Sequence, residues 1–192
     1  MMTELEYKSR QNRSYKLLLL FAMISMTMMF AGLTSAFVVS KSRRDWLSNF
    51  DIPAAFYYSL IAILLCSVTI HLAKKAIQKN DRKTTSLMLL STLALGVFFV
   101  FSQLHGFQVF FQAGLVPVGP SSKITITFFY VIVLVHLAHL AGGIVSLLVI
   151  IYNHFKQKYD ANQFVGIELG AMYWHFLDLL WVYLFLFLYF FK

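Results

Sequence analysis

The sequence predicts an all-α fold, namely a single polytopic membrane domain of five transmembrane helices over residues 1–192. Of the 192 residues, 59% are hydrophobic and 12% are charged, which leaves too little polar surface for a water-soluble domain of this size. The apolar residues form five runs, each long enough to cross about 30 Å of hydrocarbon at about 1.5 Å per helical residue. The 20 Phe and 10 Tyr residues are typical of lipid-facing helices with interfacial aromatic belts.

The predicted helices cover about residues 16–40, 54–73, 85–111, 124–152 and 169–191. The first run is too long for the core of a cleavable signal peptide, and we expect it to remain as a helix. The connections are short and polar, and the third contains Pro117 and Gly119, which break helices and favour turns. The single cysteine, Cys66, lies in an apolar run, which excludes an intrachain disulfide and a cysteine-based metal site.

The basic residues predict how the chain is oriented in the membrane. Eleven of the 16 lie in the N-terminal tail and in the second and fourth connections, on one side of the predicted bundle. The remaining five are Lys41, Arg43, Arg44, Lys123 and Lys192. The positive-inside rule therefore predicts a cytoplasmic N-terminus and an external C-terminus. Because this placement accounts for the net charge of +8, we expect no nucleic-acid partner.

Small residues at a spacing of four predict where helices approach each other closely in lipid. A sequence rich in small residues would also show some such spacings by chance. The candidates for helix packing are Gly32 and Ala36 on the first helix, and Ala138, Gly142, Gly143 and Ser146 on the fourth.

Five ionisable side chains within or at the edge of the apolar runs are the candidate functional residues. Asp178 lies near the midplane, where an acid costs a few kcal/mol, and His175 and Glu168 share its helical face. On the fourth helix, His136 and His139 are three residues apart. If the fourth and fifth helices pack antiparallel, these histidines face His175 and Asp178. We therefore expect the polar groups to satisfy one another between helices, with His175 as the partner of Asp178.

Three uses of such a cluster remain open from the residues alone. It could conduct protons or ions, it could bind a metal or haem through neutral imidazole, or it could be a buried joint that fixes helix register and docks a partner. The joint is favoured over haem binding because both rings of a His-x-x-His pair point to nearly the same face of the helix. A haem iron needs axial ligands from opposite sides.

Several stretches resemble subunit III of the haem–copper terminal oxidases in its five-helix form. The most specific is YWHFLDLLWVYLFLFLY at residues 173–189, which is similar to the final-helix signature of that family. VHLAHLAGG at 135–143 resembles the preceding helix, and QLHGFQVFFQAGL at 103–115 resembles the third. SMTMMFAGLTSAFVV at 25–39 resembles the first. The resemblance covers nearly the whole chain.

The resemblance implies a subunit that carries no redox centre, no metal and no catalytic residue of its own. In that family, subunit I holds haem and the oxygen-reducing copper, and subunit II usually receives the electrons. Subunit III packs on subunit I, binds phospholipid in a cleft, and helps to sustain proton uptake and turnover. The complex pumps protons in aerobic electron transport and can join a larger respiratory supercomplex. For this chain it implies the bacterial cytoplasmic (inner) membrane.

Within that resemblance, the cluster of His136, His139, Glu168, His175 and Asp178 would have a structural, lipid-facing or proton-facing role. Two positions depart from the family. Many members have a Ser-Glu pair in the first core helix, where this chain has Ser25 and Met26. Gly106 stands near where many members have a glutamate. The alternatives are a free-standing membrane transporter of protons or solutes and a di-haem membrane anchor.

Overall fold

The computed structural model describes residues 4–47, 50–119, 122–161 and 163–191. Within these ranges the chain forms a short 3-10 turn, Ser40–Ser42, and no β-strand. Its five long α-helices are α1 (Glu4–Val39), α2 (Ala54–Gln78), α3 (Arg82–Gln112), α4 (Ile124–Phe155) and α5 (Val165–Phe191). Each is long and apolar enough to cross a membrane. The prediction of an all-α fold with five membrane-spanning helices is therefore confirmed.

The helices extend further than the apolar runs that predicted them. Helix α1 begins at Glu4, well before the apolar run predicted from about residue 16, because its polar start is rich in Glu, Lys, Arg and Gln, which are good helix formers. Helix α2 likewise continues through Lys74 and Lys75 to Gln78. Hydropathy thus located the membrane-crossing parts of these helices but not their polar ends.

Helix α5 occupies the centre of the bundle. It packs against α2, α4 and α1, while α3 fills the space between α2 and α4. Helix α1 lies outside, against α4 and α5, and none of its described Cα atoms lies within 8 Å of one in α2. The tight turn between α2 and α3 is closed by Asn80, which has a positive φ of 54°, a conformation that Asn tolerates better than most residues. Its side-chain oxygen accepts a hydrogen bond from Ala161 N at 3.1 Å, which ties this turn to the α4–α5 connection.

Trp174 of α5 packs against both α3 and α4. Its indole ring is fully buried between two glycines. A Cβ atom on Gly96 of α3 would lie 2.9 Å from Trp174 Cη2, and one on Gly143 of α4 would lie 3.7 Å from Trp174 Cε2 and 3.1 Å from Leu177 Cδ1. The absence of a side chain at Gly96 and Gly143 leaves the space that the indole ring fills.

The small residues of α1 do not lie at a helix contact within this chain. Gly32 and Ala36 face outward, and a Cβ atom on Gly32 would have no heavy atom within 4 Å. Helix α1 instead packs through the buried residues Phe30, Thr34 and Phe37, because these lie on the opposite face of the helix. On α4, Ala138 and Gly142 are also exposed.

Asp81 caps the N-terminus of α3 outside the membrane-spanning part of the chain. Its Oδ2 accepts a hydrogen bond from the Thr84 hydroxyl at 2.6 Å, and its Oδ1 accepts one from Thr84 N at 3.1 Å. These two hydrogen bonds, the hydroxyl first, hold the pKa of the Asp81 carboxyl below its ordinary value. We therefore expect the Asp81 carboxyl to stay ionised, and to keep both hydrogen bonds to Thr84, below the pH at which an ordinary aspartate takes up a proton.

A pH titration of amide exchange tests this cap. We expect the first turn of α3 to stay protected at every pH above the ordinary aspartate pKa of about 4. Protection should be lost only as the pH falls through the lower pKa of the folded chain, because the depressed pKa contributes stability above that point. Hydrogen–deuterium exchange should show no such acid loss in Asp81→Asn and weak protection at every pH in Asp81→Ala. Identical wild-type and Asp81→Asn profiles would contradict the prediction.

Candidate functional site

Glu168 joins three helices at the end where α5 begins. Its Oε2 lies 2.7 Å from Lys16 Nζ of α1, and its Oε1 lies 3.7 Å from Lys74 Nζ of α2. The carboxylate also lies in the first turn of α5, where the helix dipole favours negative charge. Two lysines and one glutamate leave a net positive charge at this point.

His175 lies further along the same side of α5 and contacts α2. Its Nδ1 and the Ser67 hydroxyl are 2.7 Å apart, and its ring centroid lies 6.0 Å from that of His71. The ring is half-buried, whereas His71 is exposed. The partner of His175 is therefore Ser67 of the neighbouring helix, and not Asp178 as the sequence suggested.

Asp178 is buried, with 3% of its surface exposed. Ser67 and Cys66 of α2 lie near its carboxyl. Neither carboxylate oxygen, however, accepts a hydrogen bond of ordinary geometry from a described residue. The expected mutual satisfaction of these polar groups is therefore incomplete, since His175 is engaged elsewhere.

We call this set of side chains the polar seam. It joins α2 to α5, with one lysine from α1, and it runs from the start of α5 to the buried carboxyl. Its members are Glu168, His175 and Asp178 on α5, Ser67, His71 and Lys74 on α2, and Lys16 on α1. In the described part of the chain, no group of three or more His, Cys, Asp or Glu side chains is close enough to hold a metal ion.

The two histidines of α4 lie outside the polar seam. His136 is fully buried and stacks on Trp181 with 5.0 Å between centroids, and neither ring nitrogen has a hydrogen-bond partner among the described residues. His139 Nδ1 donates to Val135 O of its own helix at 2.7 Å. The expectation that they would face His175 and Asp178 is therefore wrong, and the reason is the rotation of α5 about its own axis. Positions 175 and 178 share a face that packs on α2, whereas α4 meets the face of Tyr173 and Leu177.

The partners on α2 were missed by the sequence analysis, although the sequence carries a signal for them. Ser67, His71 and Lys74 recur at spacings of four and three, which places them on one helical face. A polar stripe within an apolar run indicates a face covered by protein rather than by lipid. The Tyr173 hydroxyl, which donates to His139 O at 2.9 Å, was likewise not anticipated.

An apolar cleft of about 530 Å³ opens between α1, α4 and α5. It adjoins a polar pocket of about 770 Å³ at the end where α5 begins, since Tyr159 and Gly166 line both. The cleft is lined by Leu19, Met26, Gly142, Ser146, Leu169 and Tyr173, among others. The pocket is lined by the cationic residues Lys8, Arg13, Lys16 and Lys158. The space as a whole is apolar at one end and cationic at the other.

Comparison with known proteins identifies the family. Residues 7–192 match the family model described as Cytochrome c oxidase subunit III. The chain is 27% identical to cytochrome c oxidase subunit 3 of Thermostichus vulcanus over 175 residues, which cover 89% of this chain and 84% of that protein.

Two further relatives are longer than this chain. It is 30% identical over 145 residues to the probable cytochrome c oxidase subunit 3 of Rickettsia prowazekii (strain Madrid E), covering 73% of this chain and 48% of that protein. It is 30% identical over 129 residues to cytochrome c oxidase subunit 3 of Drosophila melanogaster, covering 67% and 47%. The match thus spans about half the length of these two relatives. The chain belongs to the cytochrome c oxidase subunit III family.

Proposed function

We propose that this chain is a non-catalytic subunit III of a proton-pumping haem–copper oxygen reductase. The observation that carries the proposal is the family match over residues 7–192. In this proposal haem and copper are held by subunits I and II, and electrons do not pass through this chain. Its own residues supply helix packing, a docking surface and a lipid site.

We further propose that the chain docks on subunit I in the bacterial cytoplasmic membrane, with its N-terminus inside. The orientation is supported by the distribution of Lys and Arg, eleven of which would lie on the cytoplasmic side. Docking is supported by the polar seam, because ionisable groups at membrane depth are normally covered by protein or line a water-filled cavity. The seam also contains side chains that can exchange protons, namely Glu168, His175 and Asp178, and it begins at the proposed cytoplasmic end. This arrangement would suit a role in supporting proton uptake.

Turnover measurements on the complex test this function. The oxidase with this chain removed should reduce oxygen at an initial rate close to that of the complete complex, because the redox centres are on other subunits. It should then lose activity sooner during sustained turnover. Immediate loss of the haem spectrum or of all oxygen consumption on removal would refute a supporting role.

The cleft and pocket together support a phospholipid site. The apolar cleft has room for an acyl chain, and Arg13 and Lys158 line the adjoining pocket, where a phosphate could accept charge-assisted hydrogen bonds. The start of α5 lies at the same end, since Val165 and Gly166 line the pocket, and the dipole of that helix also favours an anion. An anionic phospholipid therefore fits this space better than a zwitterionic one.

A paired charge neutralisation tests the lipid site. We expect phosphatidylglycerol to raise the melting temperature of the wild-type chain in detergent, because a ligand that binds only the folded state stabilises it. The double variant Arg13→Gln, Lys158→Gln should lose most of this increase. The matched control is Lys75→Gln, Lys79→Gln, which removes the same charge outside the pocket and should keep it. An equal loss in both pairs would show that net charge alone, and not the pocket, attracts the lipid.

A further inference from the structure

A groove runs along the outer side of α5 between α1 and α2. Both outer helices pack on α5, but no described Cα atom of α1 lies within 8 Å of a Cα atom of α2. Leu179 of α5 is 72% exposed between them. We call this feature the α1–α5–α2 groove, with α5 as its floor. The outward-facing residues of the floor are Glu168, Met172, His175, Leu179 and Leu186.

The groove carries two histidines, His175 on its floor and His71 on its α2 wall, at a depth where lipid is apolar. His175 is ten residues into α5, which places it about 15 Å along the helix axis. Its Nδ1 is engaged by Ser67, and its Nε2 has no hydrogen-bond partner among the described residues. His71, 6.0 Å away between ring centroids, is exposed on the α2 wall. Acyl chains cannot hydrogen-bond to either ring, so a lipid would leave them unsatisfied.

The groove also offers a fitted recess and a charge. A cavity of about 260 Å³ lies at its α1 wall, lined by Thr27, Ala31, Phe176, Leu179 and Tyr183, among others. Its size and lining suit a bulky apolar side chain. At the mouth, Lys16 and Lys74 share the single carboxylate of Glu168, so an occupant with an acidic group there would be attracted.

We propose that the α1–α5–α2 groove receives a transmembrane helix of another subunit of the oxidase complex. That helix would place a bulky apolar side chain in the recess, a hydrogen-bonding side chain at His175 Nε2, and an acidic residue near Lys16 and Lys74. A second copy of this chain would oppose one concave groove to another and fill neither. The inference rests on the proposed function, since it requires the complex.

Cysteine labelling in the intact complex tests the groove. Leu179→Cys and Leu134→Cys are each made in a Cys66→Ser background. Leu134 is 50% exposed on the outer face of α4, at a similar depth, because α4 begins on the side where α5 ends. A lipid-soluble maleimide should label Leu179→Cys about tenfold more slowly in the complex than in the dissociated chain, as expected at an interface core. Leu134→Cys should react equally in both. Free labelling of Leu179→Cys in the complex would overturn the proposal.

Cross-linking and a bulky substitution identify the occupant. A thiol-reactive bifunctional reagent on Leu179→Cys should join the chain to a different subunit, and a product of two copies of this chain would overturn the proposal. Leu179→Trp should lower the amount of chain retained on the purified complex, while Leu134→Trp should not. If the wild-type chain itself fails to co-purify with a haem-containing partner, the proposed function falls. If the wild-type chain co-purifies but the Leu179→Trp variant is fully retained on the complex, the proposed function stands and only the assignment of the groove is wrong.

Discussion

Replacing Gly143 with Leu should lower the melting temperature of the isolated chain by about 5–10 °C. The added side chain would enter space already held by Tyr173, Trp174 and Leu177, which lie 3.3, 3.7 and 3.1 Å from the position of its Cβ atom. Overpacking of this kind costs about 1–3 kcal/mol, and a domain of this size loses about 2–4 °C per kcal/mol.

The matched control for this substitution is Gly32→Leu. It adds the same side chain to α1, at a glycine with no heavy atom within 4 Å of the added Cβ, so the melting temperature should not change. Cys66 gives a convenient signal, because it is the single cysteine and is buried until the chain unfolds. A thiol-reactive fluorophore during a thermal ramp would report both variants. Equal melting temperatures for the two would contradict the packing described around Trp174.

Replacing Asp178 with Leu should stabilise the isolated chain by about 1–3 kcal/mol, since a buried group without a hydrogen-bond partner carries a desolvation cost of that size. Asp178 is 3% exposed, and neither of its oxygens has such a partner among the described residues. In the complex, the same variant should shorten the active lifetime more than it lowers the initial rate. The two effects together would show that Asp178 serves the assembly rather than the stability of this chain.

Asp178→Asn is the control for this prediction. It keeps the shape and a buried polar group, so its melting temperature should stay close to the wild-type value while that of Asp178→Leu rises. The same fluorophore assay measures both. A marked drop in the melting temperature of Asp178→Leu would contradict the prediction and would mean that the carboxyl has a strong partner within the chain.

The number and position of the helices could be predicted from the sequence for a physical reason. A backbone in lipid must satisfy its own hydrogen bonds, so each apolar run of sufficient length becomes a helix. The face shared by Glu168, His175 and Asp178 could also be predicted, because their spacings of seven and three residues place them on one side of a helix.

Which helix covers that face could not be predicted from spacing alone. Asp178 turns toward α2, where Ser67 engages His175, whereas His136 of α4 meets Trp181. Both arrangements fit the same spacing on α5, and only the packing of whole helices decides between them. The same holds for Gly32, whose spacing to Ala36 suggested a contact although α1 packs through its opposite face.

Purification of the tagged chain from native membranes in mild detergent tests most directly whether it works as a subunit of an oxidase. We predict that it co-purifies with partner subunits that carry haem and copper, and that the chain itself is colourless once it is dissociated from them. A chain that is purified alone and binds haem, or that moves protons or solutes unaided in liposomes, would contradict this conclusion.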